Sequence, residues 1–289
     1  MNETSPFVDT QFVFDNLNKP DVAIVDASWH MPNSDQTGLG NFISAHIPGA
    51  VYFDLDKIAD TSSDLPHMVA SPEVFSKMVG DLGISENDQI IVYDSSGLFS
   101  AARVWWNFKT MGARNCFVLR GGLPKWKHEN RPLSAGAPDP APKQFSATTK
   151  NINVVSKSEL EEIVKSRYDE TDVQIVDVRS KARFNAQAPE PRPGIRSGRI
   201  PGSKNLPFMN LVKDGELIEV KAIKEQLANA GIDLKKPIIA SCGSGVTAPI
   251  LCLALAEIGV DAMRVYDGSW SEWGMPGPHP VLGANNEFV

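Results

Sequence analysis

The strongest constraint on this chain is that it repeats itself. His46-Ile47-Pro48-Gly49-Ala50 in the first half is answered by Arg199-Ile200-Pro201-Gly202-Ser203 in the second. Upstream, Val22-Ala23-Ile24-Val25-Asp26 matches Val173-Gln174-Ile175-Val176-Asp177. Downstream, Gln89-Ile90-Ile91-Val92-Tyr93 matches Pro237-Ile238-Ile239-Ala240-Ser241. Three echoes in the same order imply a long-period duplication, so a fold that suits one copy must suit the other. Between the copies, Pro138, Pro140 and Pro142 remove backbone donors and favour extended chain, which predicts a linker. The expected organisation is a first domain over 1–134, a linker over 135–155 and a second domain over 156–289, each domain long enough for its own core.

Within each copy, short β-branched runs alternate with longer helical patterns. In the second, Ser156 to Lys165 reads as a helix with Ser156 as cap and Glu159 three residues on, the pattern of a capping box. Val173 to Val178 reads as a buried strand, Lys221 to Ala230 as a helix ended by Gly231, Pro237 to Ser241 as another buried strand, and Thr247 to Ile258 as an apolar helix. Such alternation predicts an α/β fold in which each copy is an open, mainly parallel sheet with helices on both faces. Ligands of such sheets bind beyond the carboxyl ends of the strands.

Composition narrows the function. With 28 Lys+Arg against 35 Asp+Glu the net charge is −7 and no basic tract stands out, which argues against a nucleic-acid partner. No apolar run reaches the roughly 18 residues that a bilayer requires, so no membrane association is expected. The opening MNETSPFVDTQF has neither a basic n-region nor an apolar core, so a cytoplasmic location is expected. Three cysteines, an odd number, suit a reducing environment rather than a disulfide framework.

Those cysteines are not equivalent. Cys116 sits in a strand-like Cys-Phe-Val-Leu and Cys252 in the middle of an apolar helix, so both read as core hydrophobes. Cys242 follows an apolar strand directly and opens Gly243-Ser244-Gly245 before a helix. Glycines let backbone N–H groups turn inward as a nest, and the helix that follows points its positive end to the same place, a combination suited to an anion such as a thiolate. A helix terminus supplies about 0.3–1 kcal/mol, whereas each amide hydrogen bond to a charged acceptor supplies about 1.5–3 kcal/mol, so loop amides must dominate. The plainer reading is a glycine-rich turn that happens to contain a cysteine. A phosphatase cradle would need an arginine six residues after the nucleophile, and that position is Ala248. In the first copy Asp94 falls opposite Cys242, so that copy lacks a nucleophilic thiol.

These residues resemble the tandem rhodanese-like sulfurtransferases, and among them those that use 3-mercaptopyruvate. The resemblance is carried by Cys242-Gly-Ser-Gly-Val-Thr-Ala248, His46-Ile-Pro-Gly49, Ser100-Ala-Ala-Arg-Val-Trp-Trp106 and Tyr266-Asp-Gly-Ser-Trp270, and covers essentially the whole chain. It implies two rhodanese-like domains, an inactive first one with Asp94 and a catalytic second one with Cys242, and no metal or organic cofactor. It implies that Arg183 and Arg192 hold the carboxylate and keto group of the donor, a task suited to a forked guanidinium. Arg179, Arg196 and Arg199 stand nearby, and any of the five could simply be a solvated surface residue. The resemblance also places His46 in the cleft, with Asp35 and Ser244 as polar partners in proton handling, although His46-Ile-Pro-Gly is equally readable as a turn. Arg103 and the two tryptophans after it read as structural, and Phe99 stands where some relatives carry a tyrosine.

The implied chemistry is attack of the Cys242 thiolate on the sulfur of 3-mercaptopyruvate, release of pyruvate and transfer of the sulfur to a thiol, a thioredoxin-like protein or cyanide. Loop amides of Gly243, Ser244, Gly245, Val246 and Thr247 would stabilise negative charge on both sulfurs. The alternatives are a thiosulfate:cyanide sulfurtransferase, which in the family carries basic residues directly after the cysteine, and a non-catalytic persulfide carrier or binding module.

Overall fold

The computed structural model describes residues 5–149, 153–166, 172–262 and 264–289. In the first copy β1 (Phe7–Val8), β2 (Val22–Asp26), β3 (Ala50–Tyr52), β4 (Gln89–Tyr93) and β5 (Cys116–Leu119) form one sheet in the order β1-β5-β4-β2-β3. Every pairing is parallel. The second copy contributes β6 (Val154–Val155), β7 (Gln174–Asp177) and β8 (Lys204–Asn205), then β9 (Val212–Lys213) and β10 (Glu216–Leu217), then β11 (Ile238–Ser241) and β12 (Val265–Tyr266). Its main sheet runs β6-β12-β11-β7-β8, again all parallel, which is the same order element for element. Only β9 and β10 stand apart, as an antiparallel hairpin that the sequence reading did not foresee.

Helices flank the strands: α1 (Thr10–Asp15), α2 (Gly38–Ser44), α3 (Pro72–Asp81), α4 (Ala101–Thr110) and α5 (Gly122–His128) in the first copy, and α6 (Lys157–Ser166), α7 (Lys181–Phe184), α8 (Val220–Asn229), α9 (Ala248–Glu257) and α10 (Ser269–Trp273) in the second. The central strands β4 and β11 are apolar without alternation because both faces are covered, as parallel sheets require. At α6, Ser156 Oγ accepts from the Glu159 N–H at 3.2 Å as expected, but the Glu159 carboxylate pairs with Arg264. The carboxylate therefore ties α6 to the residue preceding β12 where a full capping box was expected.

The duplication reaches single hydrogen bonds. His46 and Ser134 exchange two backbone bonds in an isolated antiparallel bridge, and Arg199 and Leu282 do the same. Trp126 Nε1–H donates to the Pro132 carbonyl at 2.7 Å, and Trp273 Nε1–H to that of Pro280 at 2.9 Å. Leu123 N–H donates to the Asp94 carbonyl at 3.1 Å, and Trp270 N–H to that of Cys242 at 3.0 Å. Each core gathers the matching residues, Ile24, Ile91 and Trp126 in one and Ile175, Ile239 and Trp273 in the other.

The chain divides into two compact units. One comprises the described residues within Met1–Ser62, Val69–Asn151 and Val212–Leu217, the other those within Ser63–Met68, Ile152–Leu211 and Ile218–Val289. Most of the expected linker is therefore part of the first unit. Phe145 is buried there against Phe75 and Phe108, and Lys143 N–H donates to the Gly80 carbonyl, so a proline-rich segment outside any strand gains a side-chain anchor that its composition did not announce. Residues 150–152 of that stretch, like the first four of the amino-terminal stretch read above, lie outside the described residues. Among the described residues no helix is long and apolar enough to cross a membrane.

Candidate active site

The position after β4 and β11 shows what the loop is built to hold. In the first unit it is Asp94, whose Oδ1 accepts from the Ser96 N–H at 2.9 Å and whose Oδ2 accepts from Phe99 N–H at 2.7 Å and Ala101 N–H at 2.8 Å. Three amides of one strand-to-helix loop converge on a carboxylate, which is an anion nest. In the second unit Cys242 occupies the corresponding place, between β11 and the loop that enters α9. Its side chain is buried, as are those of Ser244 and Val246, while Thr247 is half-buried at the mouth of α9. Gly245 makes the turn at φ +78°, a conformation that side chains disfavour. At Gly243 a Cβ would lie 3.0 Å from Arg183 Nη2, so a side chain there would push on the end of that arginine.

The start of α10 closes the other side. Cys242 N–H donates to Ser269 Oγ at 3.1 Å, and that hydroxyl lies 4.0 Å from Cys242 Sγ and donates to the Tyr266 carbonyl at 2.8 Å. Ser269 is fully buried with φ +49°, whereas its counterpart at the start of α5 is Gly122, with φ +52°. A side chain in this left-handed conformation costs of order 1 kcal/mol. The second unit accepts that cost and gains a hydroxyl beside the sulfur.

Two arginines reach the same loop. Arg183 on α7 lies against Gly243 and is held by Glu190, whose Oε2 accepts from its Nε at 3.1 Å and also from Nη2. Glu190 Oε1 accepts from Nη1 of Arg179 at 2.8 Å. Arg179 is fully buried, bonded to Asp177 at 2.6 Å and stacked 4.0 Å over the Trp270 ring. Arg192 Nη1 donates to Ser271 Oγ at 3.2 Å, and Ser271 Oγ donates to the Gly243 carbonyl at 2.8 Å. Of the five neighbouring arginines, Arg179, Arg196 and Arg199 are committed to buried carboxylate or backbone partners. Arg183 lies against the loop carrying Cys242, and Arg192 reaches that loop through Ser271.

His46 is buried in the first unit. Its Nδ1 lies 2.7 Å from the Phe42 carbonyl and its ring stacks 4.1 Å from that of Phe42. Its counterpart Arg199 occupies the same backbone bridge in the second unit, so the shared Ile-Pro-Gly has a structural role in both copies. Asp35 is exposed in the first unit, on the segment between β2 and α2. The histidine of the N-terminal half that clusters with the second unit is His67, buried and with φ +62°. Phe99 stacks on Trp29 at 6.3 Å, and Arg103 is buried 4.8 Å from the Trp106 ring. Burial pushes the Cys252 thiol up to about 12 and that of Cys116 higher still. Sequence reasoning missed Glu190, Ser269 and Ser271. The one available signal was Asp177-Val-Arg179 at the strand end, where the first copy has Asp26-Ala-Ser28.

The Rhodanese-like domain family matches residues 10–129 and again 160–275. The chain belongs to the rhodanese-like family. Among other rhodanese-like proteins, the 3-mercaptopyruvate sulfurtransferase of Escherichia coli (strain K12) is 38% identical over 279 residues, covering 96% of this chain and 98% of the relative. Thiosulfate/3-mercaptopyruvate sulfurtransferase 1, mitochondrial, of Arabidopsis thaliana is 38% identical over 299 residues, covering 97% of this chain and 79% of the relative. The crystal structure of SseA from Escherichia coli, a rhodanese-fold 3-mercaptopyruvate sulfotransferase, superposes with a TM-score of 0.84 at 37% identity over 93% of this chain and all of the other. Both units thus carry the rhodanese-like α/β fold, and the alignment of Asp94 with Cys242 places the one loop thiol in the second.

Proposed function

We propose that this chain is a sulfurtransferase that takes sulfur from 3-mercaptopyruvate through a persulfide at Cys242. The observation that carries the reading is the pairing of Asp94 with Cys242: one fold places a thiol where its twin holds a carboxylate with three amides. The Cys242 thiolate attacks the donor sulfur and a new S–S bond forms. The C–S bond breaks, its electron pair passes into the enolate of pyruvate, and one proton completes pyruvate. The cysteine keeps a hydropersulfide. An acceptor thiolate then attacks the outer sulfur, becomes the persulfide itself and returns Cys242 as thiolate.

Arg183 and Arg192 orient the carboxylate and keto oxygen, because a forked guanidinium matches both. Amides of Gly243, Ser244, Gly245, Val246 and Thr247 spread the negative charge over the two sulfurs, and Ser244 supplies the proton to the enolate. His46, with Asp35, serves Ser244 in that proton handling, its Nδ1 held by the Phe42 carbonyl at 2.7 Å. No basic residue lies between Cys242 and Ala248, so dianionic thiosulfate is the poorer donor. The three free cysteines suit a reducing compartment such as the cytoplasm and a thioredoxin-like dithiol as acceptor.

The deciding experiment measures pyruvate release from 3-mercaptopyruvate with a dithiol acceptor, beside the mass of the protein after donor alone. A gain of one sulfur, and its absence together with all turnover in Cys242→Ser, is the expected result. Turnover retained by that variant overturns the assignment, and a sulfur adduct with no turnover makes the chain a carrier instead.

A further inference from the structure

The first unit keeps a cavity where the second keeps its reactive loop. It has a volume of about 630 Å³, within the usual range for ligand pockets. Ser95 and Ser96 line it from the Asp94 loop, and Leu123, Pro124 and Lys127 line it from α5. Their counterparts, by the matched bonds of Leu123 to Asp94 and Trp270 to Cys242, are Gly243, Ser244, Trp270, Ser271 and Gly274, on the Cys242 loop and α10. The first unit thus has space beside the loop that carries a carboxylate in place of the thiol.

The lining states which chemistry fits. No carboxylate side chain is part of it, although the chain as a whole is acidic, and the Asp94 carboxylate nearby is already taken up by amides. Lys127 supplies one full positive charge, exposed and without an ion pair among the described residues. Asn41 spends both amide protons, one on His30 Nε2 at 2.8 Å and one on Gln36 Oε1 at 3.0 Å. That arrangement leaves the His30 Nδ1–H and the Gln36 amide as the donors these side chains still have. With the hydroxyls of Ser95 and Ser96, the wall offers one cation and a ring of neutral donors. It is also too large for an inorganic oxyanion alone.

We propose that this cavity binds a small organic carboxylate with a neutral polar body, independently of the chemistry at Cys242. Lys127 takes the carboxylate, and the hydroxyl, amide and imidazole groups take the remainder. The probe is N-acetylglycylglycine, titrated into the full-length protein while the backbone amide signals of Ser95, Ser96 and Lys127 are followed by NMR. Its uncharged carboxamide analogue and inorganic sulfate serve as separate arms. Saturable shifts with the carboxylate, weakened about fivefold by Lys127→Gln, which removes one exposed charge pair, and absent with the carboxamide, are expected. Absence of saturable shifts at these positions, equal response to the carboxamide, equal response to sulfate, or unchanged affinity in Lys127→Gln each overturns the proposal. Signals of Gly243 and Ser244 report any binding at the thiol site, so the two sites are read apart.

Discussion

Glu190 divides its carboxylate between two arginines, one oxygen to the buried Arg179 and the other to Arg183 beside the Cys242 loop. Its side chain is only 3% exposed, so the pair is insulated from solvent on the carboxylate side. Glu190→Gln keeps the shape and removes the charge. Arg179 remains neutralised by Asp177, whereas Arg183 loses its only charged anchor among the described residues. The expected outcome is a KM for 3-mercaptopyruvate raised about tenfold, equivalent to about 1.4 kcal/mol, with kcat within about threefold. Steady-state kinetics beside urea unfolding checks it, and an unchanged KM in a folded variant removes Glu190 from donor positioning.

Arg192 touches the loop through Ser271, which accepts from the guanidinium and donates to Gly243. Arg192→Gly should raise the KM for 3-mercaptopyruvate by about 10- to 150-fold, since a charge-assisted bond is worth about 1.5–3 kcal/mol. Thiosulfate, which has no carboxylate, should be affected much less. Ser271→Ala should show the same preference at a few-fold scale. Equal effects on both donors would show that Arg192 merely shapes the loop.

The three cysteines should separate cleanly under alkylation. A thiol pushed up to about 12, as in Cys252, is ionised to about one part in ten thousand at pH 8, and Cys116 less. Native protein treated with iodoacetamide should therefore carry one adduct, located at Cys242 by peptide mass spectrometry. Cys242→Ser should carry none, and Cys116→Ser and Cys252→Ser should keep most of the turnover. A second adduct in the native protein would contradict the burial seen for these two side chains.

Much of the architecture was legible because it is written twice. Apolar runs such as Val22–Asp26 and Gln89–Tyr93 declare buried parallel strands, and the position of Cys242 after Ile238–Ser241 declares the loop. What stayed hidden depends on contacts distant in sequence. Nothing local marks Phe145 as an anchor, since its partners Phe75 and Phe108 lie far upstream. The shared Ile-Pro-Gly shows its structural part only in the fold, where His46 and Arg199 fill the same backbone bridge in the two copies. Ser269 was invisible as well, for only the fold reveals that a serine adopts the backbone conformation that Gly122 adopts in the twin.

The same comparison locates a built-in pH response. Asp177 ends β7 with the Arg179 guanidinium as partner, but Asp26, its counterpart at the end of β2, has Ser28 instead. Burial without a cation raises the Asp26 carboxyl from its ordinary value to about 6, against the hydrogen bonds from Ser28 that oppose the shift. An acid raised on folding is protonated in the native state while still ionised in the unfolded chain, so between about pH 4 and 6 the native state binds the extra proton. Stability of the first unit should therefore fall as pH rises through that window, by an amount on the order of 3 kcal/mol at 1.36 kcal/mol per unit. Asp26→Asn keeps the oxygen that accepts from the Ser28 N–H at 2.8 Å and abolishes the titration. Urea unfolding at pH 4.5 and 7 should find the variant about as stable as the parent at the lower pH and more stable at the higher. A variant no more stable at pH 7 would mean that Asp26 is ionised at little cost, and that water or Tyr93 solvates it better than its burial suggests.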